Sequence, residues 1–320
     1  MKETILVTGG AGFIASNLIR VLLATSNYKV ISIDNFDLFY ARQIKESNLE
    51  AFINHSDFTF YEGDILDGSL LESLNHNIDA IVHLAAKAGV RPSIEDPIGY
   101  QRVNEVGTLK LLEFAKRRKI KRFVFASSSS VYGVNKNVPW NESDKLLTPI
   151  SPYAATKLSG EMMGHVYSHL FDINFIALRF FTVYGPGQRP DLAIHKFFKL
   201  IQDDKPIDVY GDGSTFRDYT YVGDIVAGIL KAVNYSSSNK FEIINLGNHA
   251  TVSLKELISS IEAVMNKKAT INYLPEQPGD VPKTYADIDK AKEILKYDPK
   301  TDIKEGLSSF YQWFLKFYKI

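Results

Sequence analysis

The feature that most constrains this chain is the alternation of short, continuously apolar β-rich runs with helical stretches through its first half. The runs cover residues 5–8, 30–33, 58–61, 80–84, 123–126 and 175–178. They are apolar throughout rather than alternating, as in strands whose two sheet faces are both covered by helices. Apolar residues recur at helical spacing over Phe13–Ala24, and longer helices are expected over residues 100–119 and 152–170. Strand–helix alternation of this kind predicts an α/β fold, a Rossmann-type doubly wound parallel sheet.

The pattern loosens after Phe181. Residues 185–190 form a loop of chain breakers, followed by a short helix and strands near 207–210 and 219–222. Residues 243–246 return as a core strand, 236–238 read as a surface loop, and the last stretch is mostly helical. The expected division is residues 1–181, with 222–248 returning to them, as a dinucleotide-binding domain. Residues 182–221 and 249–320 then form a smaller C-terminal α/β substrate lobe over the strand ends.

Composition excludes several function classes. Lys+Arg and Asp+Glu number 37 each, so there is no basic surplus of the kind a general nucleic-acid binder carries. The absence of cysteine excludes disulfides, thiolate nucleophiles and cysteine metal sites. No apolar run reaches the ~18 residues of a membrane helix, and Met1-Lys2-Glu3 leads into a strand with no leader pattern. The expectation is a cytoplasmic protein with no nucleic-acid or membrane partner and no metal.

The turn after the first strand reads Thr8-Gly9-Gly10-Ala11-Gly12-Phe13-Ile14-Ala15. Small residues there let backbone N–H groups approach a pyrophosphate at a helix N-terminus. Asp34 ends the second strand 22 positions after Gly12, near the ~20 expected of a ribose-hydroxyl acceptor. A carboxylate there repels a 2′-phosphate, so NAD is favoured over NADP. Asp64, after the third strand, is placed for the adenine edge.

Ser151-Pro152-Tyr153-Ala154-Ala155-Thr156-Lys157 reads as a helix start, Ser being a favoured N-cap and Pro a favoured first residue. Tyr153 and Lys157 then share one helix face at i, i+4. A neighbouring ammonium and the positive nicotinamide ring should together lower the phenol's pKa and fit it to remove a hydroxyl proton while a hydride leaves the same carbon. The equally spaced Tyr132 and Lys136 are rejected, because Gly133 and Asn135 make that stretch a loop. The serine run 127–130 lies at the carboxyl end of the fifth strand, where ligands of open α/β sheets bind. Glu161, His165 and His169 are spaced by four on a helix and read as an exposed or interface stripe. His83 reads as a satisfied core histidine, and His195 has no evident partner.

These residues resemble the extended short-chain dehydrogenases/reductases over nearly the whole chain. The likeness rests on TGGAGFIAS at 8–16, Asp34-Asn35, HLAA at 83–86, SSSSVYG at 127–133 and SPYAATK at 151–157. Within that family the chain is most similar to UDP-glucuronate 4-epimerases, through AAKAGVRPSIEDP at 85–97, RFFTVYGPGQRPD at 179–191 and QPGDVPKTYAD at 277–287.

The resemblance implies roles by position. Tyr153 is the base, Lys157 its partner, which also holds the nicotinamide ribose, and Ser128 the catalytic hydroxyl. Gly9, Gly12, Phe13, Ile14, Asp34, Asn35, Asp64, Ile65 and Asn104 line NAD. Ala85, Ala86 and Lys87 lie along its nicotinamide half, with Lys87 also at the substrate. Leu192, Val209 and Tyr210 hold uracil, Arg217 the diphosphate and Asp280 the uridine ribose. The implied reaction is 4-epimerisation of a UDP-sugar by C4 oxidation, rotation of the 4-keto intermediate and re-reduction. The substrate carboxylate of UDP-glucuronate falls to Thr182 and Arg189, with Ser127 to Ser129. UDP-glucose and UDP-N-acetylhexosamines are the alternative substrates, and Thr284 lies near the far end of the sugar pocket. Dehydratases of the family carry an acidic pair after the catalytic hydroxyl, and decarboxylases a glutamate before Val-Tyr-Gly. Here Ser129 and Ser130 stand in those places, which favours simple epimerisation. The helices near 100–119 and 152–170 imply a homodimer.

Overall fold

A computed structural model of the chain describes residues 1–145, 147–236, 239–275 and 281–320. Seven strands form the central sheet: β1 (Glu3–Thr8), β2 (Tyr28–Asp34), β3 (Phe58–Glu62), β4 (Ala80–His83), β5 (Arg122–Ser128), β6 (Asn174–Phe180) and β7 (Phe241–Leu246). All pair in parallel, in the order β7-β6-β5-β4-β1-β2-β3. The chain winds outward from β1 to β3, then returns to place β4 on the other side of β1. That reversal opens a crevice at the carboxyl ends of β1 and β4, where open α/β sheets bind ligands.

Both faces of the sheet are covered, which is why the strands read as unbroken apolar runs. Ile5 and Val7 pack with Leu18, Leu22, Ile225 and Ile229 on one face. Leu6 points the other way and packs with Leu111, Phe123, Phe125 and Tyr167. A third core joins Tyr184, Ile194, Phe198, Val209, Leu257, Phe310 and Phe314. It sits beside short two-stranded sheets, among them Thr182–Tyr184 with Tyr219–Tyr221 and Ile207–Tyr210 with Ile271–Leu274.

Three expectations are corrected here. Ala286, Ile288, Ala291, Leu295 and Tyr297 pack into the first core around the main sheet rather than into the smaller lobe. The helix expected over 100–119 is interrupted: Pro97–Gln101 and Gly107–Arg117 are α-helical, and a π-helical turn, Arg102–Val106, lies between them. His195 has two partners. Its Nδ1 donates to the Gln188 carbonyl at 2.6 Å, and its Nε2 lies 3.0 Å from the Tyr318 hydroxyl. It thereby ties the 185–190 loop to the C-terminal helix Ile303–Tyr318. Ser237 and Ser238 of the expected surface loop lie outside the described residues. Among the described residues, no helix is long and apolar enough to cross a membrane.

Candidate active site

A cleft of about 490 Å³ opens at the carboxyl ends of β1, β2, β4 and β5. Its floor is the turn between β1 and the helix Phe13–Ala24, whose N-cap, Gly12, offers no side-chain cap. The first-turn N–H groups of such a helix have no intrahelical partner and carry the positive end of its dipole. Gly9 takes a left-handed φ of +75°, and a Cβ there would sit 2.9 Å from the Ala85 backbone. Only glycine lets the β1 turn and the 84–86 segment approach this closely. Phe13, Ile14, Asn35, Asp64, Ile65, Ala85 and Ala86 line the same cleft.

Asp34 lies at its edge, where its carboxylate accepts from the Phe36 N–H at 2.8 Å and the Ala11 N–H at 3.1 Å. Burial pushes its pKa up, while those two N–H groups and the Lys45 ammonium pull it down. Open N–H groups for a pyrophosphate and a carboxylate for a ribose diol form the donor and acceptor set a dinucleotide needs. The residues present therefore fit NAD.

The catalytic helix, Pro152–Phe171, begins as its sequence dictates: Ser151 Oγ accepts from the Ala154 N–H at 3.2 Å, and Pro152 fills the first turn. Its seat on the sheet is close, since a Cβ on Gly164 would fall 2.2 Å from the Phe175 ring. Tyr153 and Lys157 both face the cleft, beside Ser127, Ser128 and Ser129. Lys157 Nζ donates to the Ala126 carbonyl at 2.7 Å and lies 5.9 Å from the Tyr153 ring centroid. Ser128 Oγ receives the Ser130 N–H at 3.2 Å and lies 2.9 Å from the Ser130 hydroxyl.

The part of the expected Tyr153 lowering assigned to Lys157 is not found. Burial pushes the phenol above its ordinary value, and only Ser128 and the Arg189 charge oppose that. The physical reason is that Lys157 is itself desolvated, its pKa lowered to about 7. It has therefore lost its proton before the phenol titrates and lends no positive charge there to oppose burial.

Other expected positions separate into two groups. Thr182, Arg189 and Leu192 line the cleft opposite the serines. Lys87 also lines it, but its Nζ is engaged by Asp96 at 2.7 Å. Asn104 does not line it. Its Oδ1 accepts from the Lys87 N–H at 2.8 Å, and its Nδ2 donates to the Lys87 carbonyl and to Thr156 Oγ1, each at 3.0 Å. From the π-helical turn it fastens the 87 segment to the catalytic helix.

Val209 is 1% exposed within the third core. Ile207–Tyr210 alternates, with Ile207 and Val209 inward, so the Val209 side chain is not a cleft group. Tyr210 lies outside the cleft lining under Arg91, whose guanidinium is 5.5 Å from its ring centroid. Arg217 also lies outside the lining and donates to the Phe216 carbonyl at 2.9 Å. Asp280 falls outside the described residues. The Ser127 hydroxyl points to Glu161 Oε1 at 2.5 Å and is buried. Glu161 is likewise no surface residue: it is fully buried against Arg179, whereas His165 and His169 are exposed.

Sequence reasoning missed Phe39, Tyr40 and Lys45, which line the cleft mouth. The aromatic cluster Phe36, Phe39 and Tyr40 directly after Asp34 was the available signal. Arg189 reaches across to this loop, its guanidinium 5.2 Å from the Phe39 ring centroid. Among the described residues, no group of three or more His, Asp or Glu side chains is arranged to hold a metal.

Comparison with known proteins places this geometry. A family profile described as GDP-mannose 4,6 dehydratase matches residues 6–310. The UDP-glucuronate 4-epimerase of Thermodesulfobacterium geofontis is 40% identical over 311 residues, covering 96% of this chain and 95% of that protein. The crystal structure of UDP-glucuronic acid 4-epimerase from Bacillus cereus, in complex with UDP-glucuronic acid and NAD, matches with a TM-score of 0.91 at 40% identity. It covers 98% of this chain and 100% of the other. The UDP-glucose 4-epimerase of Thermotoga maritima, solved with UDP-glucose, matches with a TM-score of 0.89 at 32% identity over 98% of this chain and 99% of the other.

Proposed function

The chain belongs to the GDP-mannose 4,6 dehydratase family, among the extended short-chain dehydrogenases/reductases, and from that premise we propose that it interconverts UDP-glucuronate and UDP-galacturonate. At the coarser level it is an NAD-dependent UDP-sugar 4-epimerase, an isomerase. NAD bound in the cleft would supply reversible hydride acceptance and the positive charge of its oxidised ring.

The chain's own groups do the rest. Tyr153 removes the sugar 4-hydroxyl proton and later returns it. Lys157 stabilises the phenolate, and Ser128, whose oxygen already accepts from Ser130, directs its own hydroxyl toward the reacting oxygen. The nucleotide diphosphate anchors the substrate remotely, so the sugar itself is held loosely enough to turn over. Leu192, Tyr210, Arg217 and Asp280 are the proposed nucleotide contacts, with Val209 restricted to its backbone. Ser129 and Ser130 replace the carboxylates that dehydratases and decarboxylases use, so the 4-keto sugar is returned rather than diverted.

The observation that carries the substrate choice is Arg189. It lines the cleft near Tyr153, and its Nε is buried with no hydrogen-bond partner. A sugar carboxylate would satisfy that donor, and a guanidinium binds carboxylates through two parallel hydrogen bonds. Thr182 supports the same carboxylate. Fixing it also limits its rotation, which protects a β-keto acid from losing CO2. The test is NMR product analysis of the purified protein with catalytic NAD and, separately, UDP-glucuronate and UDP-glucose. UDP-galacturonate without CO2 release supports the proposal. Turnover of UDP-glucose alone removes the carboxylate assignment, and a pentose product refutes the reading of Ser129 and Ser130.

The same proposal includes a cytoplasmic homodimer with two lobes, 1–181 with 222–248 and 182–221 with 249–320, the second less the segment that packs on the main sheet. Exposed Val106, Met162, Val166 and Leu170 on the helices concerned, with Ile94 and Ile98 just before the first of them, support the dimer, and light scattering tests it.

A further inference from the structure

Beneath the cleft lies a buried ion pair that no step above uses. The Glu161 and Arg179 side chains are 0% and 1% exposed. Arg179 donates Nε to Glu161 Oε1 at 2.9 Å and Nη2 to Oε2 at 2.8 Å. Oε1 also accepts the Ser127 hydroxyl at 2.5 Å. Glu161 follows Lys157 at i+4 on the catalytic helix, and Arg179 on β6 stands in register with Ser127 on β5.

Such a pair is a poor device for stability alone, because desolvating both ions offsets their attraction and an apolar pair would serve as well. Its position suggests a different use. Ser127 lies between Ala126, whose carbonyl holds the Lys157 ammonium, and Ser128, whose hydroxyl acts on Tyr153. We infer that Glu161 is a positioning residue for epimerisation: through Ser127 it fixes the end of β5, and so presents the Ala126 carbonyl to Lys157 and the Ser128 hydroxyl to Tyr153. This inference rests on the roles given to Ser128, Tyr153 and Lys157 above.

A second consequence is electrostatic. Burial lowers the Lys157 pKa to about 7, and the Glu161 carboxylate is the charge that holds it up. The other titratable groups facing Lys157 are Tyr153 on its own helix and His83 on β4, the latter held neutral by burial. Glu161 itself is faced by Arg179 and Ser127, and Arg179 also lies 4.7 Å from the Tyr132 ring centroid. Replacing the carboxylate removes the only negative charge in this set.

The test uses the full-length enzyme with NAD and three variants, Ser127→Ala, Ser127→Thr and Glu161→Gln. Turnover is followed by NMR, and Lys157 is titrated through its 13Cε resonance. Ser127→Ala is expected to lower kcat about tenfold or more with KM within about twofold, since small misplacements at a reacting centre cost rate. Ser127→Thr restores most of that loss. Glu161→Gln moves the Lys157 midpoint below its wild-type value, and the alkaline limb of kcat moves to lower pH with it. Ser127→Ala keeps the ion pair intact, so it decides the positioning role even if Glu161→Gln does not fold. Unchanged kcat in Ser127→Ala, or a rise in KM alone, overturns that role. An unmoved Lys157 midpoint in folded Glu161→Gln overturns the electrostatic part. Tyr153→Phe serves as the control: if it turns over normally, the proposed function fails, whereas its inactivity beside a normal Ser127→Ala sinks this inference alone.

Discussion

Arg189 and Asp191 form an ion pair across one turn of loop, 3.0 Å between Nη2 and Oδ2, while the Arg189 Nε remains buried without a partner. Nη1 makes only a long contact, 3.5 Å, to the Ala88 carbonyl, so Nη1 and the unpartnered Nε are the donors left for the proposed carboxylate. A charge-assisted hydrogen bond is worth ~1.5–3 kcal/mol, or about 10- to 150-fold in binding. Arg189→Ala is therefore expected to lower the preference for UDP-glucuronate over UDP-glucose at least about tenfold, mostly through KM for the charged sugar. Competition kinetics with both substrates measures it, and an unchanged ratio would remove Arg189 from carboxylate recognition.

Tyr153 is the residue proposed to take and return the 4-hydroxyl proton. Positioned general bases contribute ~10²- to 10⁴-fold. Tyr153→Phe keeps the ring and its packing against Tyr100, 6.3 Å between centroids, so the protein should fold and bind NAD as before. The expected outcome is a kcat loss in that range with little change in thermal midpoint, measured by NMR and calorimetry. Full activity in the variant would assign the proton transfer elsewhere.

The parts of this site readable from sequence are those set by local spacing. The β1 turn, Asp34 at the end of β2 and the i, i+4 pair Tyr153 and Lys157 are each fixed by a few consecutive residues. What was not readable depends on partners far away in the chain. Nothing near Ser127 reveals that its hydroxyl belongs to Glu161, or that the aromatic C-terminal helix supplies a partner for His195. Nor does local sequence show that Asn104 sits in a π-helical turn with its amide already spent on Lys87 and Thr156. The inward face of Ile207–Tyr210 became clear only with the third core. The raised phenol of Tyr153 has the same origin, because spacing reveals a neighbouring ammonium but not the burial that outweighs it.

Asp34 offers a test of cofactor choice. Its carboxylate takes two backbone N–H donors and retains lone pairs toward the cleft. Asp34→Asn keeps the size but removes the charge and one acceptor. Losing a hydrogen bond to a charged group costs ~1.5–3 kcal/mol, so NAD affinity should fall about tenfold or more. NADP affinity should fall less, because the repulsion of its 2′-phosphate is also removed. Isothermal titration with each dinucleotide reads the two effects, and an equal loss for both would show that Asp34 does not discriminate between them.

His83 predicts how the fold responds to acid. The Thr108 hydroxyl donates to the Asn104 carbonyl at 2.5 Å, so its oxygen must accept from His83 Nε2, 3.0 Å away. His83 Nδ1 then accepts from the Thr8 hydroxyl at 2.8 Å, and the neutral ring has both nitrogens paired. Full burial, with a smaller push from the Lys157 charge, lowers its pKa from 6.5 to about 3. Between those values the unfolded chain binds the proton and the folded chain does not. Stability is thus fully present above about pH 6.5 and is lost as pH falls toward 3, by up to ~1.4 kcal/mol per pH unit. In His83→Gln, which keeps hydrogen-bonding capacity without titrating, the baseline stability drops but the loss per unit of pH between 6 and 4 becomes shallower. Urea unfolding at a series of pH values measures both slopes. Parallel slopes in the two proteins would place the acid sensitivity in the carboxylates instead.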